Sequence, residues 1–376
     1  MIIGAGILMV WSMAMPLQAA PAAHTSGTTH AEAPSGFTRV SQAAVRARDE
    51  GRQDDAVRLY KQALALHPQW KEGMWSLSTL LYDKTQYADA RDVLRRFVAL
   101  DPEPGLGWAL LGMSEFQTRD YSRSLDHLQR AMAQGMGGQK DVAQSVFYFV
   151  AALLNRFERF DESMSLLIEM VKSGQAAGPL TEPIGLAALR LPLLPSEIPA
   201  DRKPMIRIAG QAALALEAQH RDEAEKLFTE MIADYPNEPG VHFLYGAFLL
   251  DVRPEDGIRE LKKELEVSPS NVSARLRLAE EYVKEQQLEP ALPLAKEAVQ
   301  LDPKRGPAHM MLGEVLVAKG DLTAGIRELE TARDEAPQTV RIRWDLLRAY
   351  ILAGRSEDAK REKEEIEKLS NPERGQ

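Results

Sequence analysis

The sequence contains no cysteine, and this absence removes several classes of function at once. Without thiols, the 376-residue chain has no disulfide, no thiolate metal site, no cysteine nucleophile and no lipidated cysteine. Aromatic residues are also sparse, at 6%, as in helices that pack mainly through alanine and leucine. The net charge of −9 and the pI near 5.5 lack the basic surplus that nucleic-acid binding requires, so we predict no nucleic-acid partner.

Sequence patterns typical of catalysis are missing as well. None of the seven histidines has the H-x3-H or H-E-x-x-H spacing of a metal site, and there is no G-x-S-x-G nucleophile elbow. The glycine-rich stretches 105–107 and 135–138 follow no predicted strand, so they do not indicate a phosphate-binding loop. We therefore predict that the protein is not an enzyme and that it holds neither a metal ion nor a cofactor.

The N-terminus carries an apolar run, Met1–Met15, followed by the small-x-small pattern Ala20-Pro21-Ala22 of a signal-peptidase site. The first basic residue is Arg39, so the basic start of a typical signal peptide is missing, and the run is shorter than the roughly 20 residues that span a bilayer. We interpret residues 1–22 as a signal peptide, which predicts export to the periplasm. An uncleaved anchor in the inner membrane, the only membrane contact we expect, and a cytosolic protein are the alternatives. Residues 23–36 are predicted to be a disordered lead-in.

An internal repeat of about 34 residues organises the rest of the chain. The pentapeptide Gly-Ile-Arg-Glu-Leu occurs at 257–261 and again 68 residues later, at 325–329. Prolines recur at the ends of predicted helices with separations of 33 or 34 residues within each group: Pro68 and Pro102, then Pro236, Pro269, Pro303 and Pro337. Proline lacks the N–H that would continue a helix, so this spacing predicts a regular array of helical hairpins.

In this register, Trp108-x-x-Leu111-Gly112 and Ala224-x-x-x-Phe228 match parts of the tetratricopeptide repeat pattern. The sequence resembles this family over about nine tenths of its length, although Glu115 stands where the family has tyrosine. The resemblance implies an all-α fold: a right-handed superhelix, or α-solenoid, of about nine helix-turn-helix hairpins. Each hairpin has an apolar stripe on both sides, and it buries both stripes only by stacking against its neighbours.

The prolines divide the predicted array into two parts. We expect about four repeats in residues 37–175, about five in residues 205–370, and a disordered tail at 371–376. The stretch 176–204 contains six prolines, and we predict that it forms no regular repeat and at most one or two helical turns around Ile184–Leu191. A Pro-rich connecting segment is our interpretation of this stretch, and a functional insert is the alternative.

The resemblance also implies a surface for a partner. In tetratricopeptide repeats, the first helix of each hairpin lines a concave groove through repeat positions 2, 5, 9, 12 and 13. The candidate groove residues are Trp75, Tyr82, Met113, Phe116 and Tyr148 in the N-terminal array and Glu280, Lys284, Met310, Glu314, Arg341, Trp344 and Arg348 in the C-terminal array. Aromatic, methionine and arginine side chains are those that often carry binding energy. Packing against neighbouring helices is the alternative role for each.

Position 9 separates this chain from family members that clamp a terminal carboxylate with asparagine. No repeat has asparagine there; Gly246 is assigned to this position in the sixth repeat. Two hypotheses remain for function. The protein is either a scaffold in the bacterial cell envelope that binds a protein or extended peptide, or a non-catalytic accessory subunit of an envelope enzyme complex, for example in glycan synthesis or glycosyl transfer.

Overall fold

The computed structural model describes residues 35–370, which form nineteen α-helices, one short 3-10 turn and no β-strand. The all-α solenoid expected from the sequence is confirmed. The predicted signal peptide, nearly all of the lead-in and the C-terminal tail lie outside the described residues. Within them, no helix is both long enough and apolar enough to cross a membrane. The chain divides after His220 into two compact units, which are described separately below.

The first unit contains ten helices that pair in chain order into five hairpins. These are α1 (Ser35–Asp49) with α2 (Gln53–Leu66), α3 (Lys71–Asp83) with α4 (Tyr87–Leu100), α5 (Gly105–Gln117) with α6 (Tyr121–Gln134), α7 (Lys140–Arg156) with α8 (Phe160–Lys172), and α9 (Ala177–Ala188) with α10 (Lys203–Glu217). The 3-10 turn, Pro195–Glu197, lies in the connection between α9 and α10.

The second unit begins with α11 (Arg221–Asp234) and continues with four hairpins. These are α12 (Val241–Leu250) with α13 (Pro254–Val267), α14 (Val272–Lys284) with α15 (Leu288–Leu301), α16 (Gly306–Ala318) with α17 (Leu322–Glu335), and α18 (Val340–Leu352) with α19 (Ser356–Ser370). The first helices of successive hairpins also contact one another, α14 with α16 and α16 with α18, so their side chains share one side of the unit.

Glycine sets the distance between the two helices of several hairpins. A Cβ added to Gly112 would lie 2.6 Å from Cγ of Leu128, and one added to Gly313 would lie 2.7 Å from Cγ of Leu329. Gly246 lies at the same kind of crossing, where an added Cβ would be 3.1 Å from the backbone oxygen of Gly257. The assignment of Gly246 to position 9 is therefore wrong by one residue, because the repeat that ends at Pro269 has 33 residues instead of 34.

A repeated hydrogen bond joins four of the repeats to the one before. The residue six positions after a repeat-ending proline donates to that proline's carbonyl: Trp108 Nε1 to Pro102 at 2.8 Å, His242 Nε2 to Pro236 at 2.8 Å, His309 Nε2 to Pro303 at 2.9 Å and Arg343 Nη2 to Pro337 at 3.1 Å. The same His and Arg side chains contact carboxylates on the second helix of their own hairpin, for example His309 Nδ1 with Glu328 at 2.7 Å. His242 and His309, which show no motif spacing in the sequence, thus act as structural bridges.

The Pro-rich stretch forms a complete helix, α9, where one or two turns were expected. α9 packs antiparallel to α10 with no room for a side chain at the crossing: a Cβ on Gly185 would lie 1.9 Å from the carbonyl oxygen of Ile206. Pro179 stands in the first turn, where the backbone N–H groups have no intrahelical partner, so it does not disturb the helix. Pro183 removes one internal hydrogen bond, a loss that packing against α10 offsets.

α10 packs against α9 along its length, so the Pro-rich stretch contributes a helix to the stack. The connection that follows α9 is fixed to α7 by Asn155. The Nδ2 of this buried side chain donates to the carbonyls of Leu191 and Leu193, at 2.8 and 3.0 Å. The prolines between α9 and α10 thus lie in a connection that is tied to the hairpin stack.

Candidate partner-binding surface

In the first unit, the candidate groove residues pack mainly against other aromatic rings. The ring centroid of Trp75 lies 5.6 Å from that of Phe97, and that of Tyr82 lies 5.1 Å from that of Tyr87. Phe116 on α5 lies 4.6 Å from Phe149 on α7. These centroid separations are within the range of favourable aromatic pairs.

The remaining candidates of this unit are also drawn into the packing. Met113 is buried, and the half-buried Tyr148 lies 5.9 Å from the adjacent ring of Phe149. Burial raises the pKa of Tyr148 to about 12, helped by the negative charge of Glu182, and burial also raises the pKa of Tyr82. The aromatic side chains of this unit therefore contribute to packing between helices and expose little surface to a partner.

In the second unit, the structure brings together three candidates from three successive hairpins. Arg341 on α18 reaches Glu280 on α14, with Nη1 and Oε1 3.3 Å apart, although 61 residues separate them in sequence. Its Nη2 lies 3.6 Å from Oε2 of Glu314 on α16. Glu280 also accepts a hydrogen bond from Arg277, at 3.0 Å. Charged side chains thus link the first helices of the last three hairpins along one side of the unit.

The acidic residues of this cluster lie beneath the arginines. Burial raises the pKa of Glu314, an effect strengthened by the nearby charge of Asp345, and burial likewise raises the pKa of Asp345. Oε2 of Glu314 and Oδ2 of Asp345 are both inaccessible to solvent and accept no hydrogen bond. Arg348 lies over Asp345, with 3.5 Å between Nη2 and Oδ1.

α18 presents one continuous exposed face, which we call the α18 face: Arg341, Trp344, Arg348, Ile351 and Leu352. The exposed fractions of Trp344, Ile351 and Leu352 are 54%, 63% and 59%, unusual for such large apolar side chains. The five residues are spaced at helical intervals, so they form a single stripe. Sequence reasoning named the first three and missed Ile351 and Leu352, although these occupy positions 12 and 13 of the same repeat.

The two other candidates of this unit differ from the α18 face. Met310 is buried in the cluster that contains Ile342 and Leu346. Lys284 is exposed and donates to Glu281 of its own helix, at 2.7 Å. In the described part of the chain, no group of three or more His, Cys, Asp or Glu side chains is arranged to hold a metal ion. The α18 face, with its exposed apolar and cationic groups, is suited to binding another macromolecule.

Two family models described as tetratricopeptide repeat match the chain, one over residues 76–139 and the other over residues 282–339. The first match covers most of the region from α3 to α6, and the second runs from the end of α14 to the beginning of α18. The chain therefore contains tetratricopeptide repeats in both of its units.

Among known proteins, the chain is similar to the anaphase-promoting complex subunit 3 of Dictyostelium discoideum, with 31% identity over 84 residues. That alignment spans 22% of this chain and 9% of the other. Among solved structures, MamA from Desulfovibrio magneticus RS-1 (residues 41 to the end) is 22% identical with a TM-score of 0.39, covering 46% of this chain and 97% of its own. Another crystal structure of MamA is 18% identical with a TM-score of 0.40, covering 44% and 97%. Likeness at this level carries no functional assignment.

Proposed function

We propose that this protein is a non-enzymatic scaffold that binds a partner protein through the α18 face. One observation supports this proposal above the others: all five groove positions of α18 are exposed, and three of them hold large apolar side chains. Burying an apolar side chain of this size stabilises a complex by about 1.5–3 kcal/mol, before the costs of association. Trp and Arg, both present on this face, are the residue types most often found at binding hot spots.

The arginines of the α18 face are prepared for binding by the acids beneath them. Arg341 is held between Glu280 and Glu314, and Arg348 lies over Asp345. A guanidinium held in this way loses less conformational freedom when a partner arrives. The repeats of the second unit thus act together, since the residues that orient Arg341 come from two other hairpins.

We further propose that the protein acts in the bacterial cell envelope after export. The apolar run at Met1–Met15 and the pattern at Ala20-Pro21-Ala22 support this proposal. Fractionation of cells that produce the full chain with a C-terminal tag tests it. Export predicts a periplasmic protein shortened by about two kilodaltons, whereas a full-length cytosolic product would contradict it.

Site-specific photo-crosslinking in cells tests the binding surface directly. A photoreactive amino acid at Leu352 of the full chain is expected to give a discrete crosslinked species, which the additional change Trp344→Ala weakens. The matched control places the same group at Leu301, an exposed leucine at the end of α15. Equal crosslinking from both positions, or indifference to Trp344→Ala, would count against the α18 face. A single crosslinked enzyme subunit would assign the accessory role, and several different proteins would assign a general scaffold.

A further inference from the structure

We infer that the partner of the α18 face is an amphipathic segment that carries acidic residues beside its apolar stripe. This inference rests on the proposed function and adds the chemistry of the partner. Its basis is the arrangement of charge on the α18 face. Arg341 and Arg348 are half exposed, with 52% and 57% of their side-chain surface accessible, while the acids that neutralise them lie below. A partner approaching this face therefore meets cations first.

Each guanidinium has hydrogen-bonding capacity beyond its contacts within the chain. Arginine carries five N–H donors, and the contacts of Arg341 with Glu280 and Glu314 each involve only one nitrogen of the group. The carboxylate oxygens without a hydrogen bond, on Glu314 and Asp345, are inaccessible to solvent, so an incoming cation does not reach them without rearrangement. The accessible polar atoms of this face are donors, and a carboxylate is the protein group that matches arginine in a two-pronged arrangement.

The α18 face of a second copy does not fit the α18 face of the first. In a two-fold antiparallel pairing of α18 centred on Arg348, that arginine would face its own copy, and in one centred between Trp344 and Asp345, Arg341 would face Arg348. In a parallel pairing, Arg341 and Arg348 would each face their own copies. Like charges placed opposite each other are destabilising, so the face disfavours pairing with its own copy and selects an oppositely charged partner.

The spacing on α18 also defines the pattern of the partner. Arg341 and Arg348 are seven residues apart, or about 10.5 Å along the helix at 1.5 Å per residue. Trp344 lies between them, and Ile351 and Leu352 extend the apolar surface by one turn. A helical partner lying along this face needs acidic residues seven apart, with apolar residues in the intervening turn and in the next one. Both parts of the pattern have to be present for full affinity.

Two designed helical peptides test the inference against the full-length protein. Both carry the same stripe of leucine and isoleucine, and they differ only at two positions seven residues apart, which hold Glu in one peptide and Lys in the other. We expect the Glu peptide to bind at least about tenfold more tightly than the Lys peptide, as measured by fluorescence anisotropy. Raising the salt concentration should reduce the difference, because ions screen exposed charges.

Variants of the protein identify the residues responsible. Arg348→Gln should reduce the preference for the Glu peptide several-fold. Arg361→Gln, which neutralises an exposed arginine on α19, should leave it unchanged, and circular dichroism confirms that both variants are folded. Trp344→Ala should lower the affinity for both peptides to a similar extent. Equal affinity for the two peptides, a preference for Lys, or binding of neither would overturn the inference.

The crosslinking experiment distinguishes failure of this inference about the partner from failure of the proposed function. If neither peptide binds while Leu352 still crosslinks a cellular partner in a Trp344-dependent manner, the α18 face is a binding site with a different partner chemistry. If the crosslink is also lost, both the surface and the partner class are wrong.

Discussion

The two units use the same repeat positions in opposite ways. In the first unit, Phe116 on α5 is covered by Phe149 from α7, and Tyr82 on α3 packs against Tyr87 from α4. In the second unit, Trp344 on α18 is more than half exposed and lies between two exposed arginines. Both units place large side chains at groove positions, yet the first packs them, half-buried, against its own helices and the second presents those of α18 to solvent.

This difference arises from the place of each helix in its array rather than from residue type. α5 has a first helix on either side, α3 before it and α7 after it, and their side chains meet its own. α18 and α19 form the final hairpin in the described part of the chain. No first helix of a further hairpin therefore follows α18 there. A side chain at a groove position is therefore available to a partner only where no further hairpin covers it.

The largest effect that tests this comparison is on stability. Phe116→Ala should lower the free energy of unfolding of the first unit by about 2–4 kcal/mol, since it removes a ring packed between α5 and α7. Trp344→Ala removes a larger ring but should change stability by less than about 0.5 kcal/mol, because that ring is mostly in solvent. Urea denaturation of the full chain, followed by circular dichroism, measures both. Similar losses from the two substitutions would contradict the assigned difference.

A somewhat smaller effect tests the hairpin of α9 and α10. Gly185→Ala should destabilise the first unit by about 1–3 kcal/mol, because the added methyl group would meet the carbonyl oxygen of Ile206. Gly178→Ala on the same helix is the matched control, since its Cβ would meet no atom within 4 Å. It should leave stability unchanged or raise it slightly. If both substitutions behave alike, α9 does not pack against α10 as described.

The smallest effect concerns the buried acids beneath the α18 face, and it depends on pH. Burial raises the pKa of Glu314 above its ordinary value of 4.5, so the ionised carboxylate opposes folding at neutral pH. Glu314→Gln should therefore stabilise the second unit at pH 7. The gain should disappear as the pH falls through the raised pKa towards 4.5, where wild-type Glu314 is itself protonated. Urea denaturation at pH 7 and near pH 4 measures this difference.

Glu365→Gln provides the control of opposite sign. A hydrogen bond from Lys368 lowers the pKa of Glu365, so its ionised form favours folding above the ordinary pKa of a glutamate. Neutralising it should lower stability slightly at pH 7 and have no effect once the pH is below its lowered pKa.

A Glu314→Gln protein that is less stable than wild type at pH 7 would show that the contact with Arg341 outweighs the cost of burial.

Much of the fold could be predicted because the repeat period is set by residues that lie near one another in sequence. The prolines mark helix ends, and small residues such as Gly112 and Gly313 mark helix crossings. The prediction was wrong at residues 177–188, where tertiary packing outweighs the local tendency of proline to break a helix. Six prolines argued against a helix at 177–188, but most of them lie in the first turn or outside the helix, and α10 supports the rest.

The candidate site was harder to predict, since groove positions identify where a side chain points but not what covers it. Trp75 and Trp344 looked equally suited to binding, and Arg341 showed no sign in sequence of the acids from other hairpins. The exposure of Ile351 and Leu352 also has no signal in the sequence, because leucine and isoleucine in a helix are usually buried.

The sequence by itself determined the helical hairpins and their register, because helix ends and close crossings depend on single residues such as proline and glycine. Only the tertiary structure decided which groove positions are closed by the next hairpin and which remain open. It also decided that Glu280 and Glu314 meet Arg341. Exposure and charge pairing depend on residues tens of positions apart, and the stacking of hairpins is what brings those residues together.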